Sequence, residues 1–188
     1  MIVRRTLALA ALSLMSLAAC EAADPTVPNT TPSGEVHFTY TGDDEGQYDA
    51  EGQVNTRNTD DGTWAAGQRT LNQQGGTVLS VLGQIERSDG LLDQVYIAAL
   101  NPTEGEIVCE VGDACNFDVL FALGLDSRTD DTEEVYIATA GTLRIISLTS
   151  GRATGEFVVT MEEAFPASGQ TPTVVEITAG TFDVPLIN

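Results

Sequence analysis

The amino-acid sequence predicts an all-β fold, either an antiparallel β-sandwich or a small β-barrel of about eight to ten strands. Apolar and polar side chains alternate in most segments after Gly34, which is the pattern of half-buried strands. Turns rich in glycine, asparagine and aspartate separate these segments. No window of helical period extends beyond about two turns. Together the three observations place residues 34–188 in one antiparallel β-domain.

The first strands of the domain are predicted from their alternation and from the turns between them. Residues 35–40 and 47–54 carry apolar side chains at even positions, and residues 41–46 supply the turn. Residues 77–85 are more uniformly apolar, which indicates a strand that is buried on both faces or covered. Residues 94–100 and 134–140 resemble each other at an offset of 40, but one repetition does not make a solenoid, so we expect the same hairpin type twice in one domain.

The last third of the chain predicts a run of long strands. Residues 141–148 and 152–161 flank the turn 149–151, and the second segment alternates almost without exception. The apolar parity changes from odd to even around Gly180, which predicts a bulge or bend there. The glycine-led strands and turn of residues 141–184 resemble a feature of uncharacterised bacterial lipoproteins that closes a β-sandwich or barrel. This resemblance carries no functional residues with it.

Residues 1–19 have the parts of a cleaved secretory signal peptide. Arg4 and Arg5 precede an apolar run over residues 7–17, which is too short to span a membrane. The quartet Leu17-Ala18-Ala19-Cys20 resembles the lipobox of bacterial lipoproteins, in which the cysteine is joined to diacylglycerol and becomes the first residue of the mature protein. The resemblance implies lipidation at Cys20, whereas a plain signal peptide with cleavage before a cysteine is the alternative.

The lipobox implies that the protein is located in the bacterial cell envelope, where fatty chains such as palmitate anchor it to a membrane. Two or three such chains hold a protein firmly, whereas one holds it only reversibly. Glu21 follows the cysteine, and the absence of an aspartate there favours the outer membrane. Residues 20–33 contain three prolines and almost no apolar side chain, so we expect a disordered tether that reaches about 40 Å at full extension.

The charge of the chain excludes nucleic acid as a partner. Without residues 1–19 the chain retains 6 basic residues against 28 acidic ones, a formal charge of −22, and it has no lysine. Such a surface repels phosphate backbones, and anionic lipid headgroups as well, so the attachment to the membrane must come from the lipid. No ligand or protein partner follows from the sequence.

The remaining two cysteines predict a disulfide. Cys109 and Cys115 are separated by five residues with the glycine and aspartate of a turn, and export supplies an oxidising compartment. We expect the bond at the base of a hairpin between residues 105–109 and 115–123, with Ile107, Phe117 and the two cysteines on the core side. Zinc is the rival interpretation, but no histidine lies nearby to complete such a site.

No catalytic, cofactor or metal site can be assigned from sequence motifs. His37 is the only histidine, its parity places it on the solvent face, and no nucleophile motif accompanies it. Acidic loops at residues 43–45, 60–61 and 130–134 offer oxygen ligands for calcium, although none has the spacing of a known calcium loop. With 28 acids in the chain, paired carboxylates of the kind that hydrolyse glycosides would arise by chance.

These observations favour a lipid-anchored envelope protein without enzymatic activity that serves as a structural or binding module. A variant is a barrel that encloses an apolar ligand. The alternatives are a secreted hydrolase that uses carboxylates and a calcium-stabilised ligand-binding domain. A cleft with converging carboxylates beside aromatic side chains would favour the hydrolase, and a filled core would favour the module.

Overall fold

The computed structural model describes residues 32–55, 59, 62–111, 115–129 and 131–187. Within these ranges the chain forms ten β-strands and no α-helix, which confirms the predicted all-β class. The strands are β1 (Gly34–Gly42), β2 (Gly46–Gly52), β3 (Trp64–Leu71), β4 (Thr77–Glu86), β5 (Leu92–Leu100), β6 (Gly105–Cys109), β7 (Phe117–Leu125), β8 (Glu134–Leu148), β9 (Arg152–Glu163) and β10 (Val174–Pro185).

All ten strands belong to one antiparallel sheet that is nearly closed into a barrel. Its order is β2-β1-β10-β9-β8-β7-β5-β4-β3, and β6 also pairs with β8. The sheet approaches closure where Gly67 of the end strand β3 forms a parallel bridge with Leu186, beyond β10. The amide of Ile187 donates to the carbonyl of Gly67 at 2.8 Å. A Cβ atom at Gly67 would lie 2.9 Å from Leu186, so glycine permits this close approach.

Bulges bend the strands so that the sheet can curve. The pairing of β10 with β9 changes register between Ile177 and Gly180, which confirms the predicted irregularity at Gly180. Buried side chains change parity across it: Val175 and Ile177 face the interior before the bulge, and Phe182 faces it afterwards. A second register shift lies in β1, between His37 and Tyr40. The extra residues increase local twist and keep apolar side chains on the inside.

The interior of the barrel is filled by an aromatic cluster. Phe38 stacks on Tyr48 with ring centroids 4.7 Å apart. It meets Phe121 edge to face at 5.2 Å and Phe157 at 5.8 Å. Phe121 also contacts Tyr136, with centroids 6.3 Å apart. All five rings are buried, so large side chains from β1, β2, β7, β8 and β9 occupy the barrel interior.

The predicted hairpin of β6 and β7 is wrong. β6 pairs with residues 141–145 of β8, whereas β7 pairs with residues 134–137 of β8 and with β5. β6 and β7 therefore follow one another along the long strand β8 and do not pair with each other. The predicted core parity is correct, because Cys109 and Phe117 are buried and Ile107 packs against the core.

The strand with the most uniform apolar pattern, β4, is covered on part of its outer face. Leu79 and Val81 point into the barrel, and Leu82 packs outside against a small cluster that contains Trp64. Gln84 is 1% exposed on the same outer face, where its amide nitrogen donates to the carbonyls of Thr59 and Gly62. The prediction of a covered strand is therefore correct for this half of β4.

The predicted signal peptide, the lipidated Cys20 and all but the end of the tether lie outside the described residues. Among the residues that the structure describes, no helix is long and apolar enough to cross a bilayer.

Candidate ligand cleft at one end of the barrel

One end of the barrel contains an open cleft with a volume of about 470 Å³. This value lies within the usual range of small-molecule sites. The β1–β2, β4–β5 and β7–β8 connections surround it. Its lining consists of Tyr40, Asp44, Arg87, Asp93, Leu123, Glu133 and Glu134.

Arg87 joins two of the carboxylates across the cleft. It follows β4, and its Nε lies 2.9 Å from Asp93 at the start of β5, while its Nη1 lies 2.7 Å from Glu133. The backbone amide of Gly124 donates to Asp93 Oδ1 at 2.9 Å. The hydrogen bond to Glu133 contributes most to raising the pKa of Arg87, burial opposes it, and Asp93 raises it further. The β4–β5 and β7–β8 connections are thereby held together around one guanidinium.

Tyr40 lines the cleft, whereas Tyr136 is fully buried and is linked to the cleft through the lining residue Glu134. Tyr136 of β8 donates to Glu134 Oε2 at 2.7 Å. Burial is the main cause that raises the pKa of Tyr136, followed by its hydrogen bond to Glu134. Burial also raises the pKa of Tyr40, and the charge of Asp44 adds to this effect. Both side chains are therefore neutral hydroxyl groups beside carboxylates at ordinary pH.

The cleft has an excess of negative charge. Four carboxylic acids and one arginine line it, which leaves a formal charge of −3. Each of the four carboxylates also has a hydrogen-bond or ion-pair partner within the protein. For Asp44, this partner is the amide of Glu45, which donates to Oδ1 at 2.9 Å. A positively charged group next to Tyr40 would gain Coulomb attraction as well as contact with an aromatic ring.

Two of the acidic loops considered for calcium meet at the cleft, which Asp44 lines from one loop and Glu133 and Glu134 from another. Asp43 Oδ2 accepts from the amide of Val174 at 3.0 Å, while Asp44 faces the cleft. Glu133 is engaged by Arg87. Residues 60, 61 and 130 lie outside the described ranges. Among the described residues, no group of three histidine, cysteine or acidic side chains is arranged to hold a metal ion.

His37 lies on the outer face of β1, away from the cleft. Its side chain is 34% exposed, and its two ring nitrogens face Asp49 at 2.9 Å and Glu35 at 3.5 Å. Burial opposes protonation of the ring, but the hydrogen bonds to Asp49 and Glu35 outweigh it and raise the pKa of His37. The prediction of a surface position is correct, and the histidine acts there as a cross-strand partner for carboxylates.

Cys109 and Cys115 lie at disulfide distance, with their Cα atoms 5.1 Å apart. This separation is within the range that a disulfide requires. The pair joins the two ends of the connection between β6 and β7, and Cys115 precedes the end of β7 opposite the cleft residue Leu123.

The sequence did not single out Arg87 or the tyrosines of the cleft region. One sequence signal did point to Arg87. It is a basic residue in an acidic chain, and it lies six positions before Asp93 across a tight turn. Its second partner, Glu133, lies 46 residues further on and becomes a neighbour only through the pairing of β5, β7 and β8.

In comparisons with known proteins, no family model, curated protein or solved structure matches this chain.

Proposed function

We propose that the protein is a lipid-anchored, non-enzymatic binding module of the bacterial cell envelope, and that the cleft is its ligand-binding surface. The observation that carries this proposal is the placement of the cleft relative to the amino-terminal segment. The chain that leads back to Cys20 leaves β1 at Gly34, whereas Tyr40 and Asp44 line the cleft beyond the other end of β1. The run from Gly34 to Tyr40 spans about 20 Å of strand. The cleft and the point where the chain toward Cys20 leaves the barrel therefore lie at opposite ends of β1.

The anchor itself is inferred from the lipobox. Acylation of Cys20 would add two or three fatty chains, enough for stable attachment to a bilayer. Glu21 favours the outer membrane as the destination. The segment between Cys20 and Gly34 would then keep the barrel within about 40 Å of the membrane surface, its reach at full extension.

The filled barrel interior favours a ligand at the barrel mouth over an apolar ligand enclosed within the barrel. Phe121 is fully buried and contacts four other aromatic rings within 6.3 Å. A barrel that carries an apolar ligand needs an internal cavity of several hundred Å³. The cleft is open and lined mainly by charged side chains, so the ligand class that fits it is a small organic cation or a cationic side chain.

A carboxylate-dependent hydrolase is the second candidate, because four acids and a tyrosine line one cleft. The ion pairs of Arg87 argue for binding instead. They hold Asp93 and Glu133 at 2.9 Å and 2.7 Å, so both carboxylates already have a structural partner within the protein. Hydrolysis of a panel of glycosides and esters by the wild type that is lost in Glu134→Gln would favour the enzyme and contradict the binding module.

Fractionation tests the anchor. Wild-type protein is expected in the membrane fraction with the mass of an acylated Cys20, and Cys20→Ser is expected in the soluble fraction. A Cys20→Ser protein that stays with the membrane, or an unmodified Cys20 thiol in the native protein, contradicts lipidation.

Binding at the cleft is tested by a nuclear magnetic resonance titration with arginine amide and spermidine, with glycerol as the neutral control. We expect shifts around Tyr40, Leu123 and Glu134 with the cations alone, and weaker binding at higher salt. Shifts spread evenly over the acidic surface, or none, would contradict a specific cleft. A rise in melting temperature with calcium beyond that with magnesium would favour the calcium-stabilised alternative.

A further inference from the structure

The end of the barrel opposite the cleft carries exposed apolar side chains at the ends of three strands. Leu71 ends β3 and is 75% exposed, Leu100 ends β5 and is 39% exposed, and Ile146 lies near the end of β8 and is 48% exposed. We refer to these three residues as the proximal rim. Phe165 is the one large exposed apolar side chain that the structure describes in a connection at the cleft end.

The register of the sheet shows that the proximal rim lies at one end. Leu71 is opposite Thr77, and Leu100 is opposite the next residue of β4. The amide of Asn101 donates to the carbonyl of Thr77 at 2.6 Å, which holds the end of β5 beside the β3–β4 turn. In β8, Ile146 precedes the turn that leads to Arg152.

The chain that leads to Cys20 is held at this same end. Arg152, at the start of β9, donates from Nη1 to the carbonyl of Ser33 at 3.3 Å, and its Nε pairs with Asp183 at 2.5 Å. Ser33 directly precedes β1. Thirteen residues lie between Cys20 and Gly34, and they reach about 40 Å at full extension. An anchor on so short a segment keeps this end of the barrel near the bilayer at high effective concentration.

The charges of the connecting segments are distributed in the same sense. The connections at the cleft end, residues 43–45, 87–91, 126–133 and 164–173, contain eight acidic residues. The connections at the rim end, residues 72–76, 101–104 and 149–151, contain one, and residues 53–63, which follow the end of β2 that pairs with Gly34, contain two more. Anionic headgroups therefore repel the connections at the cleft end more strongly than those at the rim end. The three apolar side chains of the proximal rim and the lower acidic charge of its connections therefore favour the same end toward lipid, whereas the exposed Val108, Val111 and Val158 lie outside the rim.

We propose that the proximal rim lies against the lipid bilayer, with Leu71, Leu100 and Ile146 at the boundary between headgroups and acyl chains, so that the cleft is held away from the membrane. This inference rests on the proposed lipid anchor. The anchor supplies the attachment, and the rim sets the orientation of the barrel, since leucine and isoleucine side chains gain free energy when they leave water. The occupant is the bilayer surface itself.

The test supplies the anchor chemically, so that its result does not depend on acylation in the cell. The chain beginning at Cys20 is coupled through the Cys20 thiol to maleimide lipid in phosphatidylcholine vesicles that contain brominated lipid. In a Trp64→Phe background, one variant carries Leu71→Trp and the matched control carries Phe165→Trp, a site that is 67% exposed at the cleft end. We expect bromine to quench the tryptophan at position 71 about threefold more than that at position 165, because quenching requires contact with acyl chains.

A charge at the rim completes the test. With Leu100→Glu and Ile146→Glu added, quenching at position 71 should fall to that of the Phe165→Trp control, while the protein remains coupled to the vesicles. Equal quenching at positions 71 and 165 before these changes would overturn the orientation, whatever the native state of Cys20. Quenching of Leu71→Trp alone combined with an unmodified native Cys20 would support the rim and refute the proposed anchor.

Discussion

Truncation of Phe121 to alanine should be one of the most destabilising single substitutions in the barrel. The ring is fully buried, and its centroid lies 5.2 Å from Phe38, 5.2 Å from Tyr40 and 5.6 Å from Tyr48. Replacement of a buried phenylalanine by alanine costs about 3–5 kcal/mol through lost transfer free energy and the cavity that remains. Loss of the aromatic contacts places Phe121→Ala toward the upper part of that range. A domain of this size has a total stability of about 5–15 kcal/mol, so the variant should fold but melt on the order of 10 °C lower.

Urea unfolding measures the effect, with Trp64 as the fluorescent reporter because its ring is 2% exposed in the fold. Phe165→Ala is the matched control, since its side chain is 67% exposed and its loss should change the free energy of unfolding by less than about 0.5 kcal/mol. If Phe121→Ala also costs less than about 1 kcal/mol with an unchanged slope, the interior is not tightly packed. An enclosed apolar ligand would then fit the barrel better than a ligand at its mouth.

Three further predictions concern charges and the cysteine pair. The fold stabilises protonated His37, so its contribution to the free energy of unfolding is complete below about pH 6.5 and is lost as pH rises through its raised pKa. The substitution His37→Gln should remove this pH dependence of stability. An unchanged dependence in the variant would contradict the pairing of His37 with carboxylates. Arg87→Gln should lower the free energy of unfolding by about 2 kcal/mol, because two carboxylates lose their partner, whereas Arg144→Gln, whose ion pair is exposed, should cost less than about 0.5 kcal/mol; equal costs would refute the role of Arg87. Replacing Cys109 and Cys115 by serine should cost about 2 kcal/mol for a loop this short, and denatured wild-type protein should show no thiol at either position without reductant.

The strand pattern could be predicted from the sequence because burial on one face of a strand depends on local alternation. Residues 152–161 show this most clearly, since Ala153, Phe157 and Met161 were predicted and found on the inner face of β9. The bulge at Gly180 was also visible as a change in parity. Each of these features is a property of a few consecutive residues.

Pairing and closure could not be predicted in the same way. The partner of β6 was misassigned to β7 because a hairpin is the default for two nearby strands with a turn between them. The actual partner, residues 141–145 of β8, is more than 30 residues away and is selected by the whole sheet. The cleft depends on the same long-range order, since Arg87 and Glu133 approach only after β5, β7 and β8 have paired.

The connection between β6 and β7 is a place where the chain of this barrel can be lengthened. Both flanking strands are fixed independently, one on residues 141–145 and the other on residues 134–137 of the same neighbour. The cysteines lie at the two ends of this connection, with their Cα atoms 5.1 Å apart. Insertions between Cys109 and Cys115 can therefore lengthen the segment without moving either strand. Peptides inserted between the two cysteines can therefore be displayed on the surface while the structure of the barrel stays the same.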